Sequence, residues 1–566
     1  MSMKRIIIAL IVFMSMASHK ALAYDIAVKN EDGVTIYYNY YNNGQELEVT
    51  YPPNGYGELE TLKIPSEVIY SGRVRKVTAI GEEAFSTQLG RSCKLSCIYL
   101  PPTIKKVGSS AFTDYTHKSW HDNQYCGEIV LNKVVISDLK AFCEMGFSDG
   151  FSVLDSYTGG YDLYYKDENT LITDLVVPAG VSHLRGLGHC KSIKSLTTSS
   201  GVEVISDCMR CINLTKIDMQ ASNLSLIDKK AFYGCSKLKT IIFDKVKKIS
   251  RGSFLKCSSG RFINLILKNL SAWCNADLSY DDIVMYNDVR PYDENDWKDW
   301  AFKLYSDENT EIKDLTIPND VVQIRKGAFL DCKSINSIMI PFNVKTLGVI
   351  NDSEYRSEAG VFQNCTNLER IYFANGVKSI GDYSFQGCKK LNNITWGANT
   401  EIIGRNSFDN CNLTSLSLPL KLKSIKIMAF SGNKYLKSVT IPSNVTELGY
   451  GIFGNCDSLM TVISLISKSI PDAGTKGGNA FSRNTLMNAT LYVPQSTSQT
   501  YKAKNGWKDF VWVEEGLPAG VESILSDEKT TEFSHYSIDG MRLASPQKGI
   551  NIVRMSDGTT KKILVK

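Results

Sequence analysis

The chain has 566 residues, of which 43% are hydrophobic, with 64 Lys and Arg against 59 Asp and Glu. A chain of this length has room for several structural parts. The near balance of charge argues against nucleic acid, and against a strongly anionic partner.

Residues Met1–Ala23 predict a secretory signal peptide. Lys4 and Arg5 form a basic start, Ile6–Met16 an apolar core, and Ala21–Ala23 an A-x-A cleavage site. The core is too short for a membrane span, and no later run reaches spanning length. Removing the peptide takes away three basic and no acidic side chains, which lowers the formal charge from +5 to +2. We therefore expect an exported protein with no transmembrane span.

The next segment, residues 24–60, is rich in Tyr, Asn, Gly and Thr. Residues 35–38 and 48–50 have the composition of short strands. Because repeat units follow from Leu62–Pro65 onward, and because the ends of a repeat array expose core that needs covering, we predict an N-terminal β cap here.

The segment Leu315–Pro341 contains one complete repeat unit. An apolar run ends in Ile-Pro, a Gly-Ala-Phe triplet and a Cys follow, and a second Ile-Pro closes the unit. The phenylalanine recurs with steps of 33, 23, 23, 22 and 23, at Phe329, Phe362, Phe385, Phe408, Phe430 and Phe453. About ten inserted residues, Val349–Glu358, account for the long step.

A period of about 23 lies within the range of leucine-rich repeats. One such unit has too little apolar surface to bury alone, so units stack and each covers its neighbours. The sequence therefore predicts a β-rich repeat solenoid, a leucine-rich-repeat fold with caps at both ends and a small all-β C-terminal domain.

Two interruptions of the array resemble each other. Ser137–Cys143 parallels Lys268–Cys274, and Asp167–Thr170 parallels Asp307–Thr310, with a Pro-ended apolar run after each tetrad. We infer a duplicated segment made of a short helix, a loop and a hairpin, after which a new block of repeats begins.

The repeats stop after Ile463. Leu491–Pro494, Tyr501 and Gly506–Phe510 indicate a closing cap, Glu514–Gly520 has linker composition, and strand-turn-strand alternation follows. The predicted domains are a signal peptide (1–23), an N-terminal β cap (24–60), repeats (61–133), an interrupting segment (134–174), repeats (175–264), a duplicate interruption (265–313), repeats (314–463), a C-terminal cap (464–515), a linker (516–522) and a C-terminal β domain (523–566).

The repeat pattern I-P-x-x-V-x-x-I-G-x-x-A-F-x-x-C-x-x-L-x-x-I-x-I-P resembles the BspA-like, treponemal-type class of bacterial leucine-rich repeats. Val377–Gly381, Phe385, Cys388, Leu391 and Ile394 match it closely, and the match covers roughly residues 61–463. The resemblance implies a secreted or surface protein, and an adhesin role, since several family members are adhesins. Residues 523–566 resemble the C-terminal sorting domains used for type IX secretion, which implies contact with a secretion machinery.

Most of the fifteen cysteines stand at one position of the repeat. Asn433 holds the same position, and Asn can neither form a disulfide nor act as a thiolate. Small size and hydrogen-bonding capacity are what Cys and Asn share. We therefore predict a structural ladder formed by Cys190, Cys211, Cys235, Cys257, Cys332, Cys365, Cys388, Cys411, Asn433 and Cys456, with Cys93 in a variant of the position. A local bridge between Cys93 and Cys97, or between Cys126 and Cys143, stays open.

Three motifs allow a metal but favour structure. Cys208 and Cys211 have the spacing of one half of a zinc site, or of a redox pair, yet Cys208 stands where the preceding repeat has a leucine. His117 and His121, with Asp114, Asp122 and Cys126 nearby, lie in an irregular insertion where exposed histidines are ordinary. The Asp-Glu-Asn-Thr tetrads suit a hairpin turn better than a calcium loop. We predict no cofactor and no resident metal.

No nucleophile, phosphate-loop or dinucleotide motif is present, so we predict that the chain is not an enzyme. Outward strand residues should align across stacked units in a column through Ile242, Met339, Tyr372, Thr395, Ser417, Thr440 and Ile463. The candidate binding residues on this face are Met339, Glu369, Arg370, Tyr372, Asn392, Asn393 and Thr395, since aromatics and Arg anchor many interfaces. A solvated β face with no ligand is the alternative for each of them.

The sequence supports one leading hypothesis, a non-catalytic surface binding protein for a host or microbial protein or glycan. A structural component of the envelope is the second hypothesis. An enzyme or metal-binding protein that uses residues 113–126 is the third.

Overall fold

The structure is a computed structural model. It describes residues 24–87, 91–118, 125–129, 131–147, 160–250, 252–257, 262–278, 302–350, 359–475, 477–516 and 518, and the strands within 532–565. The predicted signal peptide (1–23) lies outside these residues, as does the predicted linker (516–522) except for Gly516 and Pro518. The chain divides into two units, 1–239 with 252–259, and 240–251 with 260–566.

The first unit begins with antiparallel strands. Ile26–Lys29 pairs with Thr35–Tyr41, which pairs with Glu46–Thr50. A hairpin of Glu67–Tyr70 and Arg73–Ile80 follows, and its longer strand joins the sheet in parallel with Glu46–Thr50. Lys106–Val107 and Gly146–Phe147 extend that sheet in parallel. The strand direction therefore changes from antiparallel to parallel as the repeats begin.

The rest of the first unit is mostly short parallel strands. One sheet has the order Asp162–Tyr165, Lys133–Ile136, Cys97–Leu100, Thr61–Lys63. A second has Asp174–Val176, Ser195–Thr197, Lys216–Leu224, and a third has His183–Leu184, Val204–Ile205, Leu226–Ile227. The described exceptions to this pattern are an antiparallel pair, Thr113–Lys118 with Tyr125–Ile129, and a helix, Leu139–Cys143.

The second unit repeats the arrangement. Its parallel sheets are Thr240–Val246, Ile263–Leu267, Phe302–Tyr305; then Asp314–Thr316, Ser337–Ile340, Arg370–Phe373, Asn393–Thr395; then Ser415–Ser417, Ser438–Ile441, Thr461–Ser464, Thr490–Val493, Trp512–Glu515. Two-residue strands form further parallel pairs at Lys248–Ile249, Asp277–Leu278, and at Gln323–Ile324, Thr346–Leu347, Ser379–Ile380, Ile402–Ile403, Ser424–Ile425, Glu447–Leu448.

Short helices and antiparallel strands complete this unit. The helices are Leu270–Cys274, Arg483–Asn488 and Ser498–Lys502, with a 3-10 turn at Trp507–Asp509. A small hairpin joins Gly474–Thr475 to Gly478–Asn479. The last four strands, Glu532–Tyr536, Arg542–Leu543, Gly549–Met555 and Thr560–Val565, form one antiparallel sheet.

Stacked phenylalanines form the core of the second unit. Phe385 lies 5.1 Å from Phe408, and Phe408 lies 5.3 Å from Phe430, with the ring planes within 11° and 5° of parallel. The file continues through Phe329, Phe362, Phe453 and Phe481. The six rings from Phe329 to Phe453 are fully buried. The predicted alignment of these rings is confirmed, and it follows from stacking one identical unit on the next.

The glycine after the isoleucine of the motif is required by the close approach of neighbouring coils. A Cβ on Gly381 would lie 2.4 Å from the carbonyl oxygen of Leu347, and one on Gly449 would lie 2.6 Å from the backbone nitrogen of Ile427. No side chain tolerates such distances, because the obstructing atoms are backbone. The tight stacking of the coils therefore selects glycine at this position.

Candidate functional site

The candidate binding face lies on the four-stranded sheet from Asp314–Thr316 to Asn393–Thr395. Alternation buries Leu315, Ile338 and Ile371 on the inner side of the sheet. The residues between them face outward, and the parallel register then places outward residues of successive strands side by side. The face is thus built by stacking and not by any single segment.

The register brings the seven predicted binding residues together in three rows. Met339, Tyr372 and Thr395 are direct neighbours across three strands. Arg370 and Asn393 are neighbours in the second row, which Asp314 and Ser337 complete. In the third row the backbone N–H of Glu369 donates to Asn336 O, and that of Asn392 donates to Glu369 O.

Exposure of the seven residues is uneven. Arg370, Asn392 and Asn393 are exposed, whereas Met339, Glu369, Tyr372 and Thr395 are half-buried. Arg370 forms no ion pair with any described residue, so its guanidinium stays available to a ligand. Tyr372, which the sequence suggested as exposed, is flanked by Met339 and Thr395 on the neighbouring strands.

Two residues assigned to the outward column are buried, and that expectation was wrong. Ile242 is 4% exposed and Ile463 is 6% exposed. Ile242 is the direct neighbour of Ile266, which is also buried, and Ile463 is the neighbour of Tyr492. Large apolar neighbours shield these side chains, so the open face does not continue unchanged along the array.

Sequence reasoning missed three polar residues of the face: Asp314, Thr316 and Ser337. They occupy the same rows as Arg370 and Met339, and the Ser337 hydroxyl donates to the Asp314 carboxylate. The alternation of Asp314-Leu315-Thr316 was the available signal, because both polar residues flank a buried leucine.

The cysteine positions are occupied by buried, free thiols that hydrogen-bond to the backbone of the preceding coil. Cys365, Cys388, Cys411 and Cys456 donate to the carbonyl oxygens of Phe329, Phe362, Phe385 and Phe430, with Sγ–O distances of 3.2, 3.2, 3.3 and 3.4 Å. Asn433 acts in the same way, because its amide donates to Phe408 O at 2.9 Å. The remaining members differ in partner: Cys211, Cys235 and Cys257 also donate to carbonyls, while Cys190 and Cys332 contact serine hydroxyls.

Thiolate chemistry at these positions is disfavoured at neutral pH. Burial raises the pKa of both Cys190 and Cys456 to about 12, so each thiol keeps its proton. A nucleophilic or metal-binding cysteine needs the opposite shift. Cys93, Cys97 and Cys143, which sequence left open as bridge partners, carry free thiols, and the side chain of Cys126 lies outside the described residues.

The insertion at 113–126 is described only in part. The backbone register places His117 opposite Cys126, and Asp114 opposite Glu128, in an antiparallel pair. His121 and Asp122 lie outside the described residues. Elsewhere in the described chain, His, Cys, Asp and Glu side chains form no group of three or more that could hold a metal ion.

The Asp-Glu-Asn-Thr tetrads form turns. Asp167 Oδ1 accepts the backbone N–H groups of Asn169 and Thr170 at 2.8 and 2.9 Å. Asp307 makes the same two bonds, at 2.9 and 3.0 Å. Both aspartates therefore hold their own loop, as the turn interpretation predicts.

A polar chain in the first unit includes a serine and a histidine, but its geometry does not activate the serine. The Arg185 guanidinium lies 2.7 Å from His183 Nδ1, so that nitrogen accepts and Nε2 carries the proton. Nε2 then donates to Ser206 Oγ (3.0 Å), which donates to Asp207 (3.2 Å). A histidine that donates to the serine hydroxyl cannot take the hydroxyl proton, so this chain of hydrogen bonds supports the fold and does not activate the serine as a nucleophile.

A family comparison explains the repeated unit. The model of the BspA type leucine-rich repeat region matches residues 58–122, 168–278, 301–350 and 357–488, together more than half of the chain. The chain belongs to the BspA type leucine-rich repeat family. The gaps in this family match include most of the first interrupting segment, through residue 167, and residues 279–300 of the second.

Several solved structures of leucine-rich-repeat proteins are similar to this BspA-type chain. A leucine-rich repeat protein from Bacteroides ovatus is 15% identical over 87% of this chain and 100% of its own, with a TM-score of 0.44. A leucine rich cell surface protein from Faecalibacterium prausnitzii is 20% identical over 79% and 96%, with 0.35. The pneumococcal vaccine antigen PcpA is 17% identical over 87% and 100%, with 0.38.

Among curated proteins, none matches this BspA-type chain. In the described part of the chain, none of the helices has the length and apolar character needed to cross a lipid bilayer.

Proposed function

We propose that this protein is exported to the cell surface or released, and that it binds a host or microbial protein or glycan without catalysis. The observation that carries the proposal is the open face of the sheet Asp314–Thr395. It presents an exposed Arg370 with no described ion-pair partner beside Tyr372 and Met339. Arginine and aromatic side chains supply much of the binding energy of protein interfaces.

Removing the two anchors tests the proposal. The double variant Tyr372→Ala/Arg370→Ala should weaken binding to an immobilised ligand by roughly tenfold or more, because anchor residues contribute over about 1 kcal/mol each. Surface plasmon resonance on arrays of matrix proteins and glycans measures this. The control is Tyr435→Ala/Lys434→Ala, which removes an exposed tyrosine and a cation elsewhere in the same unit.

Equal affinity of the two double variants would contradict a role for this face. Absence of any ligand, combined with tight self-association of the purified protein, would instead support the structural envelope component.

We further propose that residues 523–566 direct sorting to the surface. Support comes from the compact antiparallel pairing of the described strands Glu532–Tyr536, Gly549–Met555 and Thr560–Val565. Deletion of Ser523–Lys566 should leave a folded protein in the periplasm, measured by fractionation and protease accessibility of whole cells. Unchanged surface delivery of the truncated protein would refute this assignment.

The proposal includes the organisation of the array, with a repeat period of about 23 and caps at residues 24–60 and 464–515. The antiparallel strands Ile26–Lys29, Thr35–Tyr41 and Glu46–Thr50 support the first cap, since they precede the first parallel repeat strand. Buried Tyr501, Trp507 and Phe510 support the second. Removal of residues 24–60 should lower the midpoint of urea unfolding and raise aggregation, because the first coil would lose its cover.

A further inference from the structure

A pocket of about 340 Å³ opens beside the amino-terminal ends of the strands Asp314–Thr316 and Ser337–Ile340. Its wall includes Lys303, Lys313, Lys333, Glu311, Asn336 and Phe262. None of the seven predicted binding residues lines it. The pocket nevertheless adjoins the third row of the face, because Glu369 N–H donates to Asn336 O and Asn336 N–H donates to Lys313 O.

The pocket carries one unbalanced positive charge. Lys303 Nζ lies 3.3 Å from Glu311, and Lys333 Nζ lies 3.0 Å from Asp331. Lys313 is exposed and forms no ion pair with a described residue. A single carboxylate can therefore enter beside Lys313 without displacing an existing pair, whereas a polyanion would also meet the carboxylate of Glu311.

The remaining lining groups suit a hydroxyl-rich ligand. Asn336 offers an amide that donates and accepts, and Glu311 offers a carboxylate that accepts. Sugar hydroxyls donate and accept at once, so each of these groups can be satisfied. The half-buried ring of Phe262, with Lys303 Nζ 5.7 Å from its centroid, is an apolar wall of the pocket, and it can pack against the C–H face of a sugar ring.

The first unit has the same backbone at this place but different side chains. Leu163 N–H donates to Ser192 Oγ as Leu304 N–H donates to Ser334 Oγ, so Asp162 stands where the pocket has Lys303. Asp162 pairs with Lys191 at 4.0 Å. When the Asp-Glu-Asn-Thr tetrads are aligned, Thr173 stands in place of Lys313, and Leu171 in place of Glu311. The charged pocket is therefore a feature of side-chain choice and not of the fold.

We propose that this pocket binds an acidic sugar residue, a saccharide that carries one carboxylate. Lys313 holds the carboxylate, and Asn336 and Glu311 bind the ring hydroxyls. The proposal rests on the proposed binding function and names the ligand class for the edge of the same face. An acidic peptide is the competing occupant, but it lacks the array of hydroxyls that this wall can satisfy.

Calorimetric titration of the mature protein tests the assignment. The probes are sialyllactose and trigalacturonate, with lactose as the neutral match and the tripeptide Gly-Glu-Gly as the acidic peptide. At least one acidic saccharide should bind, with lactose at least tenfold weaker. Lys313→Gln should weaken acidic saccharide binding roughly tenfold, and higher salt should also weaken it.

The matched control is Lys194→Gln in the first unit, which removes an exposed lysine from the position equivalent to Asn336 and should leave binding unchanged. Circular dichroism verifies that both variants are folded. Lack of binding by both acidic saccharides, equal binding of lactose, indifference to Lys313→Gln, or tighter binding of the tripeptide would each overturn the proposal.

The two proposals fail separately. If a ligand found on the protein and glycan arrays depends on Tyr372 and Arg370 but neither acidic saccharide binds, the proposed binding function stands and the pocket assignment is wrong. If acidic saccharides bind through Lys313 but Tyr372→Ala/Arg370→Ala has no effect on ligand binding, the pocket assignment stands and the role of the face is wrong.

Discussion

The two interrupting segments share a backbone and differ in what they bury and expose. Asp138 caps the helix Leu139–Cys143 by accepting from Ala141 N–H, and Asn269 caps Leu270–Cys274 by accepting from Ala272 N–H. In the repeats that follow each copy, a serine hydroxyl accepts the N–H of a strand of that copy, and an asparagine amide donates to a lysine carbonyl at 2.7 Å.

The differences lie in the side chains around this common frame. Phe142 of the first copy is replaced by Trp273, whose Nε1–H donates to Ala328 O at 2.8 Å. The first copy uses Glu168 to join Tyr99 and Lys133, whereas the second has the lysine-lined pocket. Duplication thus preserved the backbone hydrogen bonds, which hold the strands in register, and left the lining residues to vary.

The largest expected effect comes from the buried aromatic of the helix. Trp273→Ala should lower the free energy of unfolding by about 3–5 kcal/mol, because it empties a site that is 2% exposed and packed 5.5 Å from Phe243. Phe142→Ala should cost a similar amount. Trp273→Phe keeps an aromatic ring but removes the indole N–H, and it should cost about 1–3 kcal/mol, since Ala328 O loses its donor and part of the site is emptied. Urea unfolding followed by far-UV circular dichroism measures the free energy of unfolding of all three variants. A loss below about 1 kcal/mol for Trp273→Ala would contradict the role of Trp273 as a core residue.

The shared serine should matter equally in both copies. Ser192→Ala and Ser334→Ala each leave a buried strand N–H without its acceptor, so each should cost about 1–3 kcal/mol of unfolding free energy. The control is Ser337→Ala on the outer face, which should cost under about 0.5 kcal/mol. A large difference between the two buried serines would break the equivalence of the copies.

The helix caps should have smaller effects. Asp138→Ala and Asn269→Ala should each lower the unfolding free energy by about 1 kcal/mol, because one backbone N–H at the helix start loses its acceptor. The exchanges Asp138→Asn and Asn269→Asp should be nearly neutral, since both side chains cap well. Hydrogen exchange of the Ala141 and Ala272 amides reports each cap, and slow exchange retained in the Ala variants would count against it.

The smallest effect should be pH-dependent and concerns Glu168 of the first copy. Hydrogen bonds from Tyr99 and Lys133 lower the pKa of Glu168, so its ionised form is favoured in the folded state. These hydrogen bonds therefore stabilise the folded state fully above pH 4.5, the ordinary pKa of a glutamate, and their contribution is lost as the pH falls through the lowered pKa. Tyr99→Phe should reduce this acid-dependent loss in thermal melts between pH 7 and 3. An identical pH profile for wild type and variant would contradict the role of Tyr99.

Much of the fold could be predicted because the repeat is written in the chain. The steps between Phe329 and Phe453 indicated stacked units, and the equivalence of Asn433 with the cysteines indicated a hydrogen-bonding position rather than a disulfide. The rows of the candidate binding face followed from the alternation of buried and outward residues along each strand. The burial of Ile242 and Ile463 could not be predicted, since alternation says which side a residue faces but not what covers that side.

The sequence by itself determined the leucine-rich-repeat architecture, because a periodic pattern of apolar and small residues has few ways to bury itself other than by stacking. Only the tertiary structure decided which polar residues meet. Phe262, Lys303, Lys313 and Lys333 are spread over about seventy positions, and they line one pocket because the register of parallel strands brings the ends of three separate coils together.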